Sequence, residues 1–100
     1  MSISKRQPVS VGEMITEEFL VSVELTQGQL AEAMGVSPKT IYELCTNRRA
    51  ITADTALMLA TVFGNTADFW LNLQRRNELW KALNTSKWRA RTDKTKSIVT

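Results

Sequence analysis

Residues 27–46 read QGQLAEAMGVSPKTIYELCT, and the order of small, apolar and turn-forming side chains in this stretch decides the fold. Thr26 stands just before it as an N-cap, and Gly35 stands where a helix C-terminus is expected. Ser37-Pro38 then opens a second helix, with a hydroxyl cap followed by proline at the first helical position. Counted from Gln27, alanine falls fifth (Ala31), glycine ninth (Gly35), isoleucine fifteenth (Ile41) and leucine eighteenth (Leu44). Each residue has a task. Ala31 lies where two helices approach closely, so a larger side chain would push them apart. Gly35 supplies the positive φ of a sharp turn. Leu30, Val36, Ile41 and Leu44 fill the wedge between the helices.

This is helix-turn-helix geometry, in which the second helix lies in a DNA major groove. A plain αα-hairpin in a bundle needs only the alanine and the glycine. The full set, followed by a basic segment, favours DNA. On the second helix Pro38, Lys39, Thr40, Tyr42, Glu43 and Thr46 are left outside the core. Lys39 can donate to guanine O6 and N7. Thr40 can bond a base or set its methyl on thymine, and Glu43 can accept from cytosine N4. Pro38 offers at most an apolar contact. Lys39 and Glu43 are four apart, so mutual pairing is the plainer alternative. Phosphate contacts are expected from Gln27 and Ser37 at helix N-termini, from the Tyr42 hydroxyl, and from Asn47, Arg48 and Arg49.

Outward from this unit the chain reads as all-α. A first helix is expected from Val11 to about Ser22, with Val11, Met14, Ile15 and Phe19 at helical spacing. A fourth opens at Thr52 and ends at Gly64, and a fifth opens at Thr66 and reaches Leu83 or Asn84. Phe69, Trp70, Leu73 and Trp80 lie along that fifth helix, more aromatic surface than a small bundle can cover. They are candidates for a dimer interface, with burial inside the molecule as the alternative. Residues 1–10 read as a flexible arm, 11–85 as the domain, and 86–100 as a basic, disordered tail. Trp88 finds no role.

Composition narrows the function. The chain has 100 residues, 43% hydrophobic and 23% charged, enough for one modest core. It contains no histidine, which removes histidine bases, triads and histidine metal sites. Cys45 is the only cysteine, so no internal disulfide or cysteine-rich zinc site forms. Neither a metal nor a cofactor is expected. No apolar run reaches membrane-spanning length, and a cytoplasmic protein is expected. The net charge of +3 is uneven: residues 86–100 carry +4 and residues 1–85 carry −1. Within the body, acidic residues crowd the first third, while Lys39, Arg48 and Arg49 fall together around Glu43.

Three segments, VGEMITEEFL, LTQGQLAEAMGVSPKTIYELCTNRRAITADTALMLA and NTADFWLNLQ, make residues 11–74 resemble the HigA antitoxins of the lambda-repressor-like (Xre) class. The resemblance implies a compact five-helix bundle that forms a homodimer. It implies binding and neutralisation of a HigB toxin, a small RelE-like endoribonuclease that cuts translated mRNA. It also implies repression of the toxin–antitoxin operon at a palindromic operator. Gln27, Ser37, Lys39, Thr40, Tyr42 and Glu43 match the DNA-facing positions of the class. The family's usual His-Pro-Gly-Glu is here Ser10-Val11-Gly12-Glu13, and Asn47 stands where a loop glycine is common. Asparagine tolerates positive φ, so that loop survives.

Other classes fit less well. A stand-alone repressor would use the same DNA machinery without a toxin. A hydrolase or nuclease would have to rely on Glu17 and Glu18, which project about 100° apart as consecutive helix residues. An RNA or ribosome binder would act through the tail.

Overall fold

The computed structural model describes residues 6–85, 90–91 and 93–99. The chain is all-helical, as the patterning requires, and no described helix is long and apolar enough to cross a membrane. A first helical segment combines α1 (Val11–Glu13), a π-helical stretch (Met14–Phe19) and α2 (Leu20–Val23). It is followed by α3 (Gln27–Met34), α4 (Pro38–Cys45), α5 (Ala53–Phe63) and α6 (Ala67–Asn84).

The N-caps expected at Thr26, Ser37, Thr52 and Thr66 are all in place, each hydroxyl accepting the backbone N–H three residues on. Thr26 and Gln29 close a reciprocal capping box at the start of α3. Gly35 ends α3 at φ +68°, the left-handed conformation that the turn into α4 demands.

The first segment differs from the regular helix expected over 11–22. Its ladder widens between Met14 and Phe19, so that Leu20 N–H reaches back five residues to the Ile15 carbonyl. The Thr16 hydroxyl donates to the Gly12 carbonyl at 2.9 Å, competing with the peptide N–H of the same turn. The extra residue resets the inward face. Val11, Ile15 and Leu20 are buried, while Met14 and Phe19 are half-buried.

One core joins these segments, with Ile15, Leu30, Ile41, Leu44, Leu59 and Trp70 fully buried at its centre. Trp70 lies at the middle of an aromatic group with ring centroids 5.2 Å from Phe19, 5.9 Å from Phe63 and 5.2 Å from Phe69. Its indole N–H donates to Asn65 Oδ1 at 2.7 Å. Two of the four residues expected at a dimer interface are therefore consumed inside the molecule. Trp70 is 0% exposed and Leu73 7%; both lie in the core, and Phe19 from the π-helical stretch packs against the Trp70 ring. Phe69 and Trp80 remain half-buried.

The arm expected to be flexible is tied down in its described part. Asn77, buried on α6, donates to the carbonyls of Pro8 (3.1 Å) and Val9 (2.8 Å). It accepts from Gln7 Nε2 at 2.9 Å. A buried amide with both ends bonded fixes the chain that it faces. Residues 1–5 lie outside the described residues. So do Lys87, Trp88 and Arg89 of the tail expected to be disordered; Ala90, Arg91, Asp93 and Lys94 are helical, and three of these are good helix formers.

Gly12 marks a close approach between the first segment and the end of α4. A Cβ there would stand 2.4 Å from the Cys45 carbonyl oxygen and 2.8 Å from Asn47 Oδ1. Backbone cannot yield as a flexible side chain does. Gly12→Ala is thus expected to cost about 1–3 kcal/mol, in the range of overpacked cores. The readout is a lower urea midpoint at unchanged slope. An unchanged midpoint would mean that the two segments are not in contact at this point.

Candidate nucleic-acid interface

Helix α4 is held by its inner face. Ile41 and Leu44 are 0% and 1% exposed, each burial contributing about 1.5–3 kcal/mol. That fixes which side chains face outward. Pro38, Lys39 and Tyr42 are exposed, and Thr40 and Glu43 are half-buried. Lys39 makes no ion pair among the described residues, so its ammonium is free to approach an acceptor.

At the N-terminus of α4 the hydroxyls are already engaged. Ser37 Oγ accepts the Thr40 N–H at 3.2 Å and lies 2.9 Å from Thr40 Oγ1. Ser37 is therefore a cap first, and Thr40 is held in one rotamer with its methyl and remaining hydroxyl capacity available. Gln27, at the first position of α3, is half-buried beside free backbone N–H groups of a helix start.

The sequence leaves open a Lys39–Glu43 pair, but the structure pairs Glu43 elsewhere. Arg49 Nη2 lies 2.9 Å from Glu43 Oε1. The Glu43 carbonyl also accepts the N–H groups of Arg48 (2.8 Å) and Arg49 (3.3 Å), folding the basic loop back onto α4. The Arg48 guanidinium sits 5.8 Å from the Tyr42 ring centroid, a cation–π placement that steers it alongside the exposed phenol. Glu43 thus organises the arginines, and reading cytosine would require it to release Arg49.

Asn47 is exposed, but its side-chain amide, expected at phosphate, is engaged within the molecule. It adopts φ +59°, and its amide clamps the start of α1 at two points. Oδ1 accepts the Gly12 N–H at 3.0 Å, and Nδ2 donates to Ser10 Oγ at 3.0 Å. The reason is steric as well as polar: the glycine opposite leaves room for the amide to reach the start of α1. At the far end of the loop, Ile51 N–H donates to Gln74 Oε1 (2.6 Å) and Gln74 Nε2 donates to the Ile51 carbonyl (3.1 Å). The loop bearing Arg48 and Arg49 is pinned at both ends while both arginines stay exposed. Sequence reasoning missed Gln74 and the clamp on Asn47. An asparagine in place of a loop glycine is a signal for the second; Gln74 has none, since its partner lies 23 residues away.

Helix α3, the left-handed turn at Gly35 and α4 with its exposed outer face together form a helix-turn-helix. Comparison with known proteins agrees. Residues 17–70 match the family model described as Helix-turn-helix. Antitoxin HigA-1 of Vibrio cholerae is 48% identical over 84 residues, covering 84% of this chain and 79% of the relative. Two solved structures are also similar. An addiction module antidote protein of the HigA family from Coxiella burnetii shares 34% identity at a TM-score of 0.80, covering 92% of this chain and 100% of that one. Pseudomonas aeruginosa antitoxin HigA, solved with the higBA promoter, shares 29% identity at a TM-score of 0.82, covering 92% and 99%. The chain belongs to the helix-turn-helix family, in its HigA antitoxin branch.

The Arg49 hydrogen bond, helped by the fields of Lys39 and Arg48, holds the Glu43 carboxyl below the usual carboxylate range. A depressed folded-state value means that the pair contributes above the ordinary range and is lost as pH falls through the lowered value. In an NMR titration of the Glu43 side-chain carbon, Arg49→Ala should move the midpoint upward. An unmoved midpoint would show that Arg49 does not hold Glu43 in solution.

Proposed function

We propose that this chain is an antitoxin with two activities. It binds a palindromic operator as a homodimer, repressing its own operon, and it neutralises a HigB/RelE-like toxin that cuts mRNA. The observation that carries the DNA half is the outward face of α4: Lys39 is free, Thr40 and Tyr42 are accessible, and Arg48 and Arg49 are held beside them. Lys39 and Thr40 read base edges in the major groove. Tyr42, Arg48, Arg49, Gln27 and the N-terminus of α4 at Ser37 meet phosphate, and Pro38 gives an apolar contact. The similar Pseudomonas protein, solved with its promoter, supports this reading. The toxin half rests on kinship with HigA antitoxins.

For the dimer, the C-terminal half of α6 is the better surface. Leu79 is 50% exposed, and Trp80 beside it is only half-buried. Phe69 lies further back against Phe19. Two-fold pairing would set two copies of α4 about 34 Å apart, one turn of DNA.

Four measurements test the proposal. With the promoter fragment upstream of its own gene, Lys39→Ala should cost about 1–3 kcal/mol at one operator position. An equal loss on every sequence would assign Lys39 to phosphate. Arg48→Ala should weaken all sequences alike and reduce the salt slope by about one, and an unchanged slope would remove Arg48 from the backbone contacts. Leu79→Asp with Trp80→Asp should yield a monomer by sedimentation and weaken operator binding by about 100-fold or more, because the half-sites lose their linkage. A dimer that persists would place the interface elsewhere. Co-expression with the neighbouring reading frame and pull-down tests the toxin half: no co-purifying partner would leave a stand-alone repressor.

A further inference from the structure

A groove of about 340 Å³ runs along the first helical segment, away from α4. Val9, Met14, Phe19 and Phe69 line it with apolar surface, and Glu17 and Glu18 line it with carboxylates. Val9 is 45% exposed, Met14, Phe19 and Phe69 are half-buried, and both glutamates are exposed. The carboxylates of Glu17 and Glu18 have no hydrogen bond or ion pair among the described residues, whereas that of Glu13, also in the lining, accepts from Ser10 Oγ. The π-helical stretch spans Met14–Phe19, so the widened turn itself forms one wall. Such turns cost backbone regularity and recur at functional sites. The arm that supplies Val9 is fixed in place by Asn77, so the groove is preformed.

An apolar trough edged by unpaired carboxylates fits an apolar anchor flanked by lysine or arginine. Resting on the antitoxin reading, we infer that this groove is where the toxin docks, through a basic segment carrying an aromatic or aliphatic side chain. Charge complementarity chooses this occupant. A protein that handles mRNA must be basic where it meets phosphate, whereas the first third of this chain is crowded with glutamates. The docking face and the DNA face share no residue.

The test uses the full chain, wild type and Glu17→Lys/Glu18→Lys, against the purified product of the neighbouring reading frame. The double variant should associate about 10-fold or more slowly, with a flatter salt dependence, as steering charges are reversed. Glu17→Gln/Glu18→Gln should fall between the two. Operator affinity and the thermal melt should match wild type, which keeps misfolding separate from lost docking. Equal capture by wild type and the lysine variant would overturn the groove and leave the antitoxin reading standing. No capture by wild type would overturn both. A changed oligomeric state of the variant without the partner would make the groove a contact between copies of this chain, also overturning the inference.

Discussion

The approach of Gly12 to the end of α4 is the constraint on which the rest of the molecule depends. With no side chain at Gly12, the start of the first segment lies against the Cys45 carbonyl. The Asn47 amide then bridges Gly12 and Ser10. That contact fixes the C-terminal end of α4 in space, and the loop after it inherits the position. The helix is already oriented by Ile41 and Leu44 in the core. The second anchor acts together with the Glu43 carbonyl and the Gln74 clamp to set the direction in which the loop leaves α4.

From that anchor the charge arrangement follows. Glu43 draws Arg49 across α4, its carbonyl receives two loop N–H groups, and Tyr42 offers its ring to Arg48. Ordering these long side chains beforehand lowers the entropy lost when they meet phosphate. Lys39 is the contrasting element: an exposed ammonium on a flexible stem. The surface therefore combines one adaptable donor near the helix start with two positioned guanidiniums at its end.

The π-helical stretch has a second consequence away from DNA. It sends Leu20 inward in place of Phe19, which turns onto the aromatic group around Trp70. That places Phe19 against Trp70, while further along α6 Leu79 is exposed and Trp80 half-buried. The same widening lines the acidic groove. One local irregularity thus separates what is core from what is available to partners.

Apart from the π-helical stretch, the helices, the caps at Thr26, Ser37, Thr52 and Thr66, the turn at Gly35 and the outward face of α4 are legible in the residues alone. These are local properties, set by residues three or four apart that the same turn brings together. The sequence also carried the family, through segments spread over residues 11–74. The long-range partners emerge from the packed fold and not from the letters: Asn47 with Ser10 and Gly12, Gln74 with Ile51, Asn77 with the arm. The fold alone decided that Trp70 and Leu73 lie inside the molecule while Trp80 stays partly open. An apolar side chain looks the same in a string of letters whether its cover comes from its own chain or from another. The packing of α6 against Phe19 settles which, and no spacing along the chain encodes it.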